Sequence, residues 1–527
     1  MTSKVGQWKP RSRLYEKDLE KDSYFKEIFV EDALHKSGNY RRSAASLEDE
    51  QSSTGMSSDG ELLEELPEPP AEEKIPLSSK PPHRIPLHQR NVTRIKRSVL
   101  QKSVLAVKSV VSALLSFPLL FFFVTMAVYT TGKQQLLDKR KRIQEANEKD
   151  MPDELLTQDE TYYAERWGYT SEMHEVVTQD GYILKMYRIY KKGSIPRGKP
   201  VLIGHGLFQC SGAFVLNEQR SLAFALIDQG YDVWVGNNRS IAGLDHVSLS
   251  FKDPEYWNWG LKELGIYDFA AMLDHVKLYS DSSKVAYIGH SQGNAQAFIA
   301  LSLCPEIADN LSCFVALAPA VFSGNLVNTF PLNRLINLSD WLYSLMFGTG
   351  SFLPIMSFAQ TIVEPRLFCF LAYSMFSYLF SWWDSHWLRR RKLKYFQFTP
   401  RPVSSRLIAD WIAGWGRKGV CLYVADQNTV MNTDFKQKVP LVVFYGTADF
   451  LVNGERFVRT FPGYETHGMS PEQVAKESTP LTPDCQKTLF PMLDLVHVEP
   501  YGHHLGHDNH KTTYPIVLKN LENARWE

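Results

Sequence analysis

From about Glu160 to Ala320, and again from Lys438 to Val498, short apolar runs alternate with amphipathic stretches. "HEVVTQDGYILKMYRIY" alternates apolar and polar positions on either side of Asp180-Gly181, which predicts a β-hairpin. "KPVLIGHG", "YDVWVGNN", "KVAYIGHS", "CFVALAPA" and "VPLVVFYGTAD" are continuous apolar runs that end in turn-forming residues, and Val496–Val498 reads as a last strand. Between them lie "SLAFALIDQG", a helix with a glycine stop, and "YDFAAMLDHVKLYS", an amphipathic helix. Strands apolar on both faces and separated by helices imply an α/β fold with a mostly parallel sheet covered on each side. The chain shows no internal repeat.

Two stretches depart from this rhythm. Residues from about 321 to 432 are long, aromatic and helical in character, as in "DWLYSLMFGTGSFLPIM" and "LFCFLAYSMFSYLFSWWDSHWL", and fit an inserted helical cap over the C-terminal edge of the sheet. Ser109 to Thr131 carries no charge. At 1.5 Å per residue it spans roughly 34 Å, enough for a hydrocarbon core of about 30 Å, and basic clusters flank it. A transmembrane helix over 99–131, with its core at 109–131, is the expectation. Pro118 either kinks a single-pass helix, the preferred reading, or marks the bend of a hairpin in one leaflet. The positive-inside rule favours a cytoplasmic N-terminus by one charge.

Upstream, residues 1–98 read as a disordered polar tail, Ser-, Glu- and Pro-rich from Ser43 to His88, with room for a short helix near Asp18–Leu34. The opening residues are polar and charged, so no secretory signal peptide is expected. Residues 132–159 read as a charged tether, and 160–527 as the globular domain. The 527 residues carry no formal net charge, so no overall field favours nucleic acid. The apolar and aromatic shares, 44% and 13%, support a large core. Six scattered cysteines, Cys210, Cys304, Cys313, Cys369, Cys421 and Cys485, lack the spacing of a zinc site and read mainly as buried free thiols, with one or two disulfides open.

The strongest chemical signal is "VAYIGHSQG", Val285 to Gly293. A G-x-S-x-G pattern acquires meaning from context: here it follows a buried strand and precedes the helix-compatible "NAQAFIALSLC". Gly289 and Gly293 leave room for a strained turn that lifts the Ser291 hydroxyl, the candidate nucleophile, to the start of a helix. A serine hydroxyl needs a base and an orienting carboxylate, expected downstream in the order Ser, Asp, His. Asp449 follows a buried strand on a turn opened by Gly446. For the base, "LVHVEPYGHHLGHDNH" puts His503 first and His504 second, both after the last strand. A metal site of His503, His507 and His510 on one helix face is the lesser alternative. An oxyanion needs two prepositioned N–H donors; the amides of Leu207, in "GHGLF", and Gln292 are the candidates. His205 is expected to brace that loop.

These motifs line up with a family. Over nearly all of Thr161–Glu527 the chain resembles the acid lipase family of α/β-hydrolases, and within it the fungal membrane-anchored steryl ester hydrolases. The likeness is carried by "GYTSEMHEVVTQDGYIL", "GHGLFQCSGAFV", "GYDVWVGNNR", "YWNWGLKELGIYDFAAMLDHV", "GHSQG", "LAPAV" and "ADFLVNGERF", and in the cap by "FGTGSF" and "YLFSWWDSHWL". The resemblance implies an α/β-hydrolase fold and cofactor-free cleavage of sterol or glycerol esters of long-chain fatty acids. It also implies a triad of Ser291, Asp449 and a C-terminal histidine. The family carries an aromatic residue, any residue, His, an aliphatic residue and Asp near its end. "YGHHLGHDN" departs from that: the aromatic Tyr501 selects His503, whereas the His-Leu pair selects His504.

The reading is therefore a membrane-anchored steryl ester hydrolase, acting at a membrane or lipid-droplet surface on a neutral lipid. Lipid droplet, endoplasmic reticulum and plasma membrane all suit such an anchor. A triacylglycerol lipase differs only in pocket shape, and an inactive lipid-binding scaffold is the rival from another class. The sequons at Asn91, Asn238, Asn310 and Asn337 are chance-level matches.

Overall fold

The computed structural model describes residues 98–137, 154–240, 245–416, 439–477, 493–499 and 509–526, save a few isolated positions. The tail with the short helix expected near Asp18–Leu34, most of the tether, the end of the cap, and Cys421, Cys485, His503, His504 and His507 lie outside them.

The sheet runs β1 (Tyr169–Val177), β2 (Tyr182–Lys191), β3 (Pro200–Gly204), β4 (Asp232–Gly236), β5 (Val285–His290), β6 (Leu311–Leu317), β7 (Leu441–Gly446) and β8 (Leu493–Glu499). A two-residue strand, Asp245–His246, also pairs with β2. Spatial order is β1-β2-β4-β3-β5-β6-β7-β8. The first two strands form the antiparallel hairpin, Val177 opposite Ile183, turned by Gly181 at φ +93°. From β4 to β8 every pairing is parallel. Every residue of β3 to β6 is buried, because helices cover both faces.

Trp234, Tyr287 and Phe314 fill one face with Phe269, Met272 and Phe298 from helices at 264–303. On the other, Val233, Ile288 and Val315 pack with Phe224 and with Tyr514, Val517 and Leu521 of the last helix. The order of strands reverses at β3, which has β4 on one side and β5 on the other. Crevices form outside the carboxyl ends of parallel strands at such a switch point. The register sets Gly204 beside Gly289, so the loop after β3 emerges next to the turn after β5.

Ahead of the sheet, α1 (Val99–Leu137) is one continuous helix through Pro118, long and apolar enough to cross a membrane. The bend of a hairpin at Pro118 is thus not adopted. The helix also outlasts Thr131, since Lys133–Leu137 contains no residue that stops it. The longer cap helices described after β6 are α2 (Asp340–Phe347), α3 (Ile355–Ile362), α4 (Pro365–Phe380), α5 (Lys392–Phe398) and α6 (Ser405–Gly416). The cap is fastened at its rear. Arg390 makes a bidentate pair with Glu218, both bonds 2.8 Å, and Arg391 and Lys394 both pair with Glu154. Bidentate guanidinium–carboxylate pairs fix orientation as well as distance. Cys210, Cys313 and Cys369 are buried free thiols, and Cys304 is a half-buried one.

Candidate active site

Ser291 stands between β5 and the helix α7 (Gln292–Leu303), with φ 53° and ψ −114°. A non-glycine residue held there is strained, and only a surrounding structure that over-determines it keeps it so. The constraints are visible. The Ser291 N–H donates to the Leu317 carbonyl at 3.0 Å, and its own carbonyl accepts from the Asn294 N–H at 3.0 Å. Asn294 also donates from its side chain to Leu317 O at 2.8 Å. A β-carbon on Gly293 would stand 2.7 Å from the Gly204 carbonyl oxygen, so glycine alone lets α7 approach β3 this closely.

The loop after β3 folds over this turn. A β-carbon on Gly206 would lie 3.1 Å from that of Ser291. The Gln209 side-chain oxygen accepts from the Gly206 N–H and from His290 Nδ1, each at 3.0 Å, tying the loop to the residue before Ser291. His205 points inward: its Nδ1 donates to the Gly206 carbonyl at 2.9 Å, and its Nε2 faces the Asn238 N–H at 3.4 Å. Burial lowers the His205 pKa to about 4, so the ring is neutral and serves to hold the loop. Among the described residues, neither the Leu207 nor the Gln292 amide N–H has a hydrogen-bond acceptor.

Ser291 lines a small hollow with Leu207, His290, Trp382, Trp411 and Val452. Gln292 is buried, and its side-chain oxygen accepts the Trp411 indole N–H at 3.0 Å, so the cap reaches the turn directly. Asp449 follows β7. Its Oδ1 accepts the N–H groups of Leu451 at 2.9 Å and Val452 at 3.1 Å, and both of those residues also line the hollow. The Asp449 loop is clamped to the segment after β6 through Gly324 N–H to Leu451 O at 2.8 Å.

The structure thus brings Ser291, Leu207 and Gln292 to one point, with Asp449 on a loop whose neighbours wall it. His503 and His504 lie outside the described residues. His510 sits on the last helix (Asn509–Glu522), whereas His503 and His507, its partners in the metal alternative, lie outside the described residues. Sequence reasoning missed Gln209, Trp382 and Trp411. Gln209 was within reach, being two residues past Leu207; the tryptophans gave no local signal.

Residues 161–218 match the family described as the partial alpha/beta-hydrolase lipase region. Sterol esterase 2 of Saccharomyces cerevisiae is 30% identical over 60% of this chain, and lipase member K of Homo sapiens 36% over 46%. The chain is thus similar to lipases and to a sterol esterase, in line with the acid lipase resemblance. Gastric triacylglycerol lipase of Bos taurus is 36% identical over 36% of the chain. These matches span 66%, 63% and 48% of the relatives' own lengths, in each case less than two thirds. Among solved structures, an esterase of Pyrococcus furiosus aligns over 74% of this chain and 100% of its own at 15% identity, with a TM-score of 0.36. The strand order and parallel pairing described above are those of an α/β-hydrolase.

Proposed function

We propose that this chain is a membrane-anchored serine ester hydrolase that cleaves steryl esters to sterol and fatty acid. The observation that carries the reading is the strained Ser291 turn, placed at the switch point of the sheet and facing a hollow roofed by the cap. In the proposed reaction His503 takes the Ser291 proton as Oγ attacks the ester carbonyl, and Asp449 orients the ring and balances its charge. The Leu207 and Gln292 amides receive the oxyanion, the role for which their N–H groups are suited. Collapse breaks the ester C–O bond, the imidazolium gives its proton to the departing sterol oxygen, and water attacks the acyl-serine to release the acid. The helix α1 serves as the anchor that keeps the site at a lipid surface, membrane or lipid droplet.

Support for an apolar ester comes from the surroundings of Ser291. A cavity of about 270 Å³ adjoins the hollow and is walled by apolar side chains throughout, save Ser116. Support for the sterol ester in particular is the likeness to a relative named sterol esterase. The test is labelling with a fluorophosphonate probe beside turnover of cholesteryl oleate and triolein. Labelling that Ser291→Ala abolishes, with cholesteryl oleate preferred, is the expected result. Labelling independent of Ser291 refutes the nucleophile, and a preference for triolein replaces the sterol ester with triacylglycerol.

A further inference from the structure

Resting on the hydrolase reading above, we infer that the anchor helix is itself one wall of the acyl-binding site, so that substrate reaches Ser291 sideways from the bilayer. The large apolar cavity is lined on one side by Ser116, Leu119, Leu120, Phe123 and Val124 of α1, and on the other by cap helices α3, α4 and α6. Leu207, Phe208, Phe380 and Trp411 border both this cavity and the Ser291 hollow, so the two meet at those four side chains.

The helix has two faces at the spacing a 3.6-residue turn demands. Positions 116, 119, 120, 123, 124, 127 and 131 face the cap, ending in the fully covered Ala127 and Thr131. Leu114, Phe117 and Phe121, on the opposite side, are 69%, 59% and 68% exposed. Two hydrogen bonds hold this arrangement near its ends: Ser112 Oγ to the Met346 carbonyl of α2 at 2.8 Å, and Thr131 Oγ1 to the Ser374 carbonyl of α4 at 3.3 Å. The distance along the helix between those pins is roughly 28 Å, close to a hydrocarbon thickness of about 30 Å. The cap helices therefore share the depth of the anchor. Their outer surface fits that medium, since Trp341, Phe358, Ile362 and Leu367 are all more than half exposed.

A helix whose outer face meets lipid and whose inner face bounds the cavity lets a long alkyl chain pass from one apolar medium to another without entering water. The cavity volume, about 270 Å³, is just below the roughly 300–1,000 Å³ of ordinary ligand pockets, and its apolar lining suits a long-chain acyl group.

The experiment uses the full chain in lipid nanodiscs. Leu120→Trp and Val124→Trp fill the cavity wall; Leu114→Trp and Phe121→Trp add the same bulk to the outer face. The reading is the ratio of kcat/KM on cholesteryl oleate to that on p-nitrophenyl butyrate. A fall of at least tenfold in that ratio is expected for the wall variants, and a change of less than twofold for the outer ones. Equal effects from both faces, or none from the wall, overturn the inference. A second arm needs no turnover: Ser291→Ala is photolysed with an oleoyl ester bearing a diazirine at its tail. Adducts within 116–124 are expected, and adducts confined to the cap, or none on either, refute the wall. If wild type cleaves neither ester, the hydrolase reading fails while the adducts still decide the cavity.

Discussion

Trp411 of the cap and Gln292 of the Ser291 turn are joined by a 3.0 Å hydrogen bond from the indole N–H to the side-chain oxygen. Gln292 is also the residue whose amide is proposed to receive the oxyanion. Cap position and the proposed oxyanion donor are thereby linked through one side chain. Trp411→Phe removes the donor and keeps most of the ring, leaving a buried acceptor unpaired at a cost of about 1–3 kcal/mol. Steady-state kinetics on a long-chain ester should show kcat lowered roughly 3- to 10-fold, with Ser291 labelling slowed in step. Unchanged kcat would mean that the bond plays no part in holding the turn.

Asp449 offers a cleaner separation of charge from structure. Its Oδ1 accepts two backbone N–H groups, and an asparagine oxygen can accept the same two. Asp449→Asn should therefore leave the thermal unfolding midpoint within a degree or two. In the proposed mechanism it removes the negative charge that would hold the imidazole in the working tautomer, and kcat should drop about 10³- to 10⁴-fold. A variant retaining a tenth of wild-type turnover would exclude Asp449 from the triad.

Gly293 is decided by backbone contacts. A β-carbon there meets the carbonyl oxygens of Gly204 at 2.7 Å and His205 at 3.1 Å, neither of which can swing away like a side chain. Gly293→Ala must push α7 from β3 or distort the turn, costing about 1–3 kcal/mol as overpacking does. Thermal unfolding should come earlier, and fluorophosphonate labelling should slow at least tenfold because Ser291 and Leu207 no longer meet. Alanine with wild-type labelling would show that the approach of these two elements is not what positions the nucleophile.

The contrast between what was and was not legible in the sequence is physical. Strands β3 to β7 could be read because burial on both faces leaves hardly any polar position inside them, and Ser291 because its signal is local: strand, tight turn, helix. Trp411 and Gln292 are 119 residues apart, and His290 and Gln209 are 81 apart. No periodicity links positions that only the folded sheet and cap bring together. Asp180 shows the same limit. It reads as a hairpin residue, yet its carboxylate also pairs with buried Arg239, which in turn pairs with Asp268. For α1 the obstacle is different: an exposed apolar face and a face turned to an apolar cavity have the same composition, so the pattern of residues does not tell one from the other.

His205 makes the acid limb of stability predictable in sign. Its pKa is near 6.5 when unfolded and lowered to about 4 by burial in the folded chain, where Nε2 faces a backbone donor and has no use for a proton. Above pH 6.5 the ring is neutral in both states and its contribution is complete. Between 6.5 and 4 the unfolded chain takes up a proton that the folded chain refuses, so stability falls as pH falls, by up to roughly 3 kcal/mol for this ring. His205→Asn keeps a donor for the Gly206 carbonyl but cannot titrate. Unfolding midpoints measured from pH 7.5 to 4.5 should decline less steeply in that variant than in wild type, the two curves diverging below pH 6.5. Parallel curves would show that the ring is protonated at no cost, and that the loop carrying Leu207 is not held by a neutral His205.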